Sequence, residues 1–152
     1  MNHLAGLPDI DDPNRYEGQD FFTYAVGLAS GATLAPAAST TLTFQIDGES
    51  DFFWDKATVS ALVANDGTSY SADLKPAVYI TIVDSISQRP LMNNPAPVGN
   101  LFGTGQLPFI LPIRKLFYSK ANVKMTIANY SDNSTYTQLD FSFIGIKAFL
   151  RG

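Results

Sequence analysis

The sequence predicts an all-β domain, either an antiparallel β-sandwich or a barrel, with about eight strands. The β-forming residues Val, Ile, Thr, Tyr, Phe and Trp make up about a third of the 152 residues. Surface helices favour Glu and Lys, but the chain has only two Glu and six Lys. The 11 Gly and 9 Pro residues supply many turns. A chain of this length suits a single domain.

Alternation of apolar and polar residues predicts each strand in turn, as where Leu42, Phe44 and Ile46 share one face of an extended segment. Turn signals occur at Asp47-Gly48, at residues 65–67 and at residues 131–134. A loop rich in Pro and Asn spans residues 89–100. The predicted strands are residues 21–28, 40–46, 53–64, 77–83, 101–103, 109–113, 121–130 and 137–150.

The last predicted strand is apolar on both faces from Phe143 onward. Gly145 lies where a β-bulge would switch the pattern. A strand that is apolar on both sides is buried centrally or covered by a partner, so we expect one of these two environments for the end of the chain.

Residues 1–20 differ from the remainder because they combine acidic residues and prolines with no regular apolar period. We predict an extended N-terminal arm over residues 1–20 and a β-sandwich domain over residues 21–152. Four apolar residues along the arm are expected to contact either the body or a neighbouring molecule. They are Leu4, Leu7, Ile10 and Tyr16.

Composition excludes several classes of function. The absence of Cys excludes disulfides and thiolate metal sites, and the single histidine, His3, excludes a multi-histidine metal centre. A net charge of −4 argues against nucleic-acid binding. The start of the chain does not resemble a signal peptide. The uncharged stretches 21–46 and 90–113 contain too many polar residues and prolines to span a membrane.

No catalytic set is evident, so we expect no enzyme activity, no metal and no cofactor. Two minor alternatives remain open. The acidic clusters at residues 9–12 and 47–51 could supply oxygen ligands to calcium, although their spacing is not that of an EF-hand loop. A carboxylate pair of the glycosidase type is the other alternative, with no pair singled out by the sequence.

Three adjacent aromatic residues, Phe52, Phe53 and Trp54, occur at the start of a predicted strand. Since side chains alternate along a strand, both faces would be aromatic there. We therefore predict that at least one of the three is exposed or interfacial. Trp54 is the candidate for stacking on a sugar or for anchoring a protein interface.

The second half of the chain resembles the small jelly-roll virion proteins of tailed bacteriophages, a group that includes capsid cement, or decoration, proteins. The resemblance covers about residues 77–151. It includes a strand ending near Asp, a Pro-hydrophobic stretch, a strand ending in Asn and a last strand ending Gly-x-Lys-x-Phe. The segments that carry it are ITIVD (80–84), RPLM (89–92), LFGTG (101–105), LPFILP (107–112), ANVKMTIAN (121–129) and FSFIGIKAF (141–149).

This resemblance implies a jelly-roll sandwich and a virion structural protein on the capsid exterior, made in the bacterial host cytoplasm. The implied partners are the major capsid protein and further copies of this chain, as a dimer or a trimer. We expect the arm (residues 2–16) and the loop (residues 93–100) to make the capsid contacts. The residues predicted to bind partners are Leu4, Leu7, Ile10, Tyr16, Trp54, Pro95 and Pro97.

Two other functions remain open. A tail, fibre or other receptor-binding β-module would carry a sugar-binding groove with exposed aromatic residues near Trp54. A carbohydrate-active enzyme with a sandwich fold would require a clustered carboxylate pair. The fold alone does not decide among the three functions.

Overall fold

The computed structural model describes residues 8–64 and 70–152, and these contain ten β-strands and one short 3-10 helix at Val98–Asn100. The turn predicted at residues 65–67 and the residues Leu4 and Leu7 lie outside the described residues. The strands are β1 (Tyr16–Gly27), β2 (Ser39–Gln45), β3 (Ser50–Ala64), β4 (Tyr70–Ala72), β5 (Val78–Asp84), β6 (Arg89–Pro90), β7 (Ala96–Pro97), β8 (Phe109–Phe117), β9 (Asn122–Asn129) and β10 (Tyr136–Leu150).

The strands form two antiparallel sheets packed face to face, which confirms the predicted all-β class. Of the two predicted architectures, the structure is the β-sandwich and not the barrel. The first sheet has the order β1-β10-β3, with β4 and β8 both pairing with β3. The second sheet has the order β2-β9-β5, with β6 and β7 both pairing with β5.

The pairing is nested along the chain. The first strand pairs with the last, β2 pairs with β9, β3 pairs with β8, and β5 pairs with the short strands that follow it. The first and second halves of the chain therefore lie side by side, as the two strands of one long antiparallel ribbon. Because successive pairs lie alternately in the two sheets, the ribbon wraps around a single core.

The core lies between the sheets because each long strand presents alternate apolar residues inward. In β9 these are Val123, Met125 and Ile127, all fully buried. Aromatic rings from both sheets meet in the core, with Phe44 of β2 4.8 Å from Phe143 of β10 between ring centroids. Such pairs add about 0.5–1.5 kcal/mol each beyond the area they bury.

The first strand is longer than predicted and corrects the boundary of the arm. β1 begins at Tyr16, and residues 18–20 already pair with Ala148 and its neighbours on β10. Pairing with β10 overrides the weak apolar pattern of these residues. Of the predicted arm, only residues up to Arg15 precede the sheet. The expectation of an arm over residues 1–20 is therefore wrong for its last five residues.

The bulge expected near Gly145 is present, but the extra residue lies on the facing strand. Gly145 pairs with Trp54 while Ile144 pairs with Lys56, so Asp55 of β3 is the unpaired residue. A Cβ atom on residue 145 would lie 2.0 Å from the carbonyl oxygen of Phe53. Gly145 is thus required for the close approach of the two backbones at the bulge. The pairing of β10 with β1 is unbroken here, so the same face of β10 remains directed at the core on both sides of Gly145.

Candidate interaction surfaces

The aromatic triplet 52–54 is entirely buried, which contradicts the prediction that one member is exposed or interfacial. Phe52 and Trp54 face the core between the sheets. Trp54 is only 4% exposed, stacks on Phe117 at 5.9 Å and donates a hydrogen bond from Nε1 to the Lys56 carbonyl oxygen at 2.7 Å. The predicted role of Trp54 in partner or sugar binding is therefore wrong, since its ring has no free face.

Phe53 faces the other side of the first sheet, where the sequence predicted exposure. A second, smaller apolar cluster covers it there. Its members are Tyr16, Phe53, Leu116 and Ala148, with Ile10, Tyr118 and Leu150 packed against them. Residues of three neighbouring strands, together with Ile10 of the N-terminal arm, thus shield the outward aromatic residue. This packing depends on a contact between distant segments, which alternation within one strand does not reveal.

A buried carboxylate attaches this arm to the body. Asp51 of β3 is 1% exposed and accepts hydrogen bonds from Arg15 Nη2 at 3.0 Å and from the Tyr16 hydroxyl at 2.7 Å. Its second oxygen accepts the backbone N–H of Ser119 at 2.8 Å. Burial and the hydrogen bond to Asp51 together raise the pKa of Tyr16 far above its ordinary value.

Tyr16 is 5% exposed, so its predicted role in binding a partner is also wrong. The sequence correctly predicted that Ile10 and Tyr16 contact the body or a neighbour, and the structure places both against the body. Arg151 reinforces the attachment by donating hydrogen bonds from its backbone N–H to the Arg15 carbonyl oxygen and from Nε to the Pro13 carbonyl oxygen, both at 2.9 Å.

The proline-rich loop is anchored at its ends and exposed in its middle. Val98 is fully buried, and the Met92 sulfur accepts the Ile82 N–H at 3.2 Å. Pro97 is half-buried in β7, opposite Tyr79 of β5, whereas Pro95 is exposed. Among the described partner residues, Ile10 and Tyr16 lie on the first sheet whereas the loop residues border the second, so these residues do not form one surface.

Exposed apolar residues that local sequence patterns did not indicate lie on the outer face of the first sheet. Phe21 of β1 is 76% exposed and pairs across the strands with Ile146 of β10. Ile110 of β8 is exposed beside Lys56, which in turn pairs with Ile144. A shallow groove of about 410 Å³ on this face is lined by Gln19, Asp20, Phe21, Asp55, Lys56, Ile144, Gly145 and Ile146.

One signal could have located this face. Phe21 and Phe22 are adjacent in a strand, so one ring must point away from the core. Phe22 packs on the core, where its ring lies 4.8 Å from that of Tyr24. The same reasoning failed for residues 52–54 because the second apolar cluster, which includes Tyr16 and Leu116, covers Phe53.

In both acidic clusters considered for calcium, carboxylates accept hydrogen bonds or form ion pairs with other groups of the protein. Asp51 is used by Arg15 and Tyr16, and Asp47 forms an ion pair with Lys147. In the arm, Asp9 accepts the Asp11 N–H at 3.0 Å. Across residues 8–64 and 70–152, no group of three or more His, Cys, Asp or Glu side chains is arranged to hold a metal ion.

Two tyrosines form a partly exposed pair on the second sheet. Tyr130 is 58% exposed, and its ring centroid lies 4.4 Å from that of Tyr79. Exposed rings of this kind can stack on the apolar faces of sugars or on protein side chains. The pair offers an aromatic surface for stacking on a sugar, which the buried Trp54 does not.

Searches against protein-family models, curated proteins and solved structures found no match to this chain. In the described part of the chain, no helix has the length and apolarity needed to cross a membrane.

Proposed function

We propose that this chain is a bacteriophage virion structural protein, namely a capsid cement protein that binds the outer surface of the major capsid protein lattice and stabilises the head. The observation that carries the proposal is the nested strand pairing, β1 with β10, β2 with β9 and β3 with β8. In a jelly roll, which viral capsid proteins use, the chain also wraps as a ribbon around one core. The nested pairing supports the fold implied by the resemblance of residues 77–151.

The surface chemistry also supports a role in assembly. Only 16% of the residues are charged. Phe21 on β1, Ile110 on β8 and Leu107 just before β8 are exposed. Protein interfaces are depleted in charged residues and enriched in aromatic anchors, so a chain of low charge with exposed apolar side chains suits a protein that is covered by partners.

Stabilisation of a shell follows from repetition. A cement protein adds about 800 Å² of buried surface per partner at boundaries between capsomers, and many copies act together. The contacts we propose are Leu4 and Leu7 in the arm and Pro95 in the loop. Tyr16 and Trp54 are left out because both side chains are buried.

Co-sedimentation tests the proposal. The purified protein is mixed with capsids assembled from the major capsid protein of the same virus without this chain. The proposal predicts saturable binding at a fixed ratio to the capsid protein. Replacing Leu4 and Leu7 together by Ser should weaken binding at least about tenfold, whereas Leu74→Ser, at an exposed leucine outside the proposed contacts, should not. Absence of binding by the folded wild-type protein would contradict the proposal.

A second candidate is a tail or receptor-binding module that recognises a sugar. The partly exposed Tyr79–Tyr130 pair favours this function, because exposed aromatic rings stack on sugars. Jelly-roll folds also occur in lectins. A glycan array separates the two functions. Glycan binding that is lost in Tyr130→Ala, in a protein that does not bind capsids, would support the receptor-binding function instead.

A further inference from the structure

The outer edge of the first sheet ends in a long strand. β1 has 12 residues and pairs with β10 on one side, and within residues 8–64 and 70–152 no strand pairs with its other side. Exposed edge strands present unpaired N–H and C=O groups to other chains, and proteins protect them with Pro, Lys or short length. Residues 21–27 contain no charge and no proline.

The direction of the free backbone groups follows from the pairing. Leu28 donates its N–H to the Leu139 carbonyl oxygen at 3.1 Å, so residue 28 faces β10. The register from Gly18 to Gly27 is unbroken. Because successive residues of a strand direct their backbone N–H and C=O groups to opposite sides, these groups of the odd-numbered residues from 19 to 27 point away from β10, towards the free edge.

We infer that two copies of this chain pair through the free edge of β1, antiparallel about a two-fold axis at Thr23. In this register Thr23 faces Thr23 of the second copy, Phe21 faces Ala25, and Gln19 faces Gly27. Every odd-numbered residue of the edge then has a partner, giving about ten backbone hydrogen bonds. The inference does not depend on the capsid proposal, since it concerns the free protein.

Side-chain size and charge both fit this register. Phe21, 76% exposed in the single chain, would cover the small side chain of Ala25 in the second copy. Opposed Thr residues are a favourable cross-strand pair. The acidic residues of the strand, Glu17 and Asp20, face uncharged positions of the second copy, so no like charges are opposed.

The edge of the second sheet lacks these properties. β2 has 7 residues, and its exposed side chains are polar: Ser39, Thr41, Thr43 and Gln45. It therefore supplies a matched control position, Thr43, which is an exposed Thr on the edge strand of the opposite sheet.

Cysteine cross-linking tests the pairing, because the natural chain has no cysteine. Residues opposed as a hydrogen-bonded antiparallel pair have Cα atoms about 5.5 Å apart, within reach of a disulfide. Under mild oxidation Thr23→Cys should form a covalent dimer. Ala25→Cys should form no covalent dimer, since its two copies lie about 14 Å apart in this register. Thr43→Cys should form no covalent dimer either.

Sedimentation of the free protein completes the test. The wild type should show a concentration-dependent dimer, weakened at least about tenfold by Thr23→Lys, which opposes two like charges, and unchanged by Thr43→Lys. Circular dichroism and Trp54 fluorescence identify variants that have lost the fold. A folded Thr23→Cys that does not cross-link, equal cross-linking at Ala25→Cys, or a monomeric wild type would each overturn the inference.

Discussion

The buried carboxylate of Asp51 provides the sharpest test of how the arm is attached. It accepts hydrogen bonds from Arg15 Nη2 (3.0 Å) and Nε (3.3 Å), the Tyr16 hydroxyl (2.7 Å) and the Ser119 N–H (2.8 Å). In Asp51→Asn the amide oxygen can still accept from Ser119. The amide nitrogen, however, cannot accept a hydrogen bond, so the Arg15 guanidinium and the Tyr16 O–H lose their shared acceptor.

The expected cost follows from these contacts. Leaving the buried Tyr16 hydroxyl without an acceptor costs about 1–3 kcal/mol. The loss of the ion pair adds only about 1 kcal/mol, because the partly exposed Arg15 side chain can regain water. We therefore expect Asp51→Asn to lower the free energy of unfolding by about 3 kcal/mol.

Asp55→Asn is the matched control, being the same substitution on the same strand. Asp55 lies 3.8 Å from Arg114 Nε in a largely exposed ion pair, which is expected to contribute about 0.5 kcal/mol or less. Urea unfolding followed by fluorescence of Trp54, the single tryptophan, measures both values. Equal losses in the two variants, or a loss below about 1 kcal/mol in Asp51→Asn, would refute the reasoning.

Two further substitutions test the core and the pH response. Gly145→Ala should lower the free energy of unfolding by about 3 kcal/mol or more, because the new Cβ would lie 2.0 Å from the Phe53 carbonyl oxygen. In the same urea assay, the control Gly18→Ala should change the free energy of unfolding by less than about 0.5 kcal/mol, because its Cβ would meet no atom closer than 4.0 Å. Burial and a hydrogen bond to Asp73 raise the pKa of Tyr136 to about 12, so the unfolded chain ionises first. Its contribution to stability is complete below about pH 10 and is lost as the pH rises towards 12. Tyr136→Phe should therefore reduce the alkaline loss of stability; an unchanged slope of unfolding free energy against pH would exclude Tyr136 as its source.

Local patterning was sufficient to predict the fold class and most of the strands. Alternation of apolar residues predicted residues 40–46 and 121–130 as strands, close to the observed Ser39–Gln45 and Asn122–Asn129. These strands pack one face on the core and leave the other polar, so the period of two is clean. The nested order of the strands depends on pairing between distant segments, which no local pattern contains.

The candidate surfaces were harder to predict for the same reason. Trp54 and Phe53 are both buried, but by different partners: the core covers Trp54, and the second apolar cluster covers Phe53 on the outer face of the sheet. Phe21 is exposed although its neighbour Phe22 packs on the core. Which adjacent aromatic residue remains on the surface is decided by tertiary contacts rather than by the strand itself.

The effect of this chain on capsid strength tests the central proposal most directly. Bare capsids and capsids saturated with the protein are heated, and the temperature at which the shells rupture is measured by light scattering and electron microscopy. The proposal predicts a higher rupture temperature that increases with occupancy, since each copy adds buried surface between capsomers. An identical rupture temperature for bare and saturated capsids would contradict the cement function, even if the protein binds.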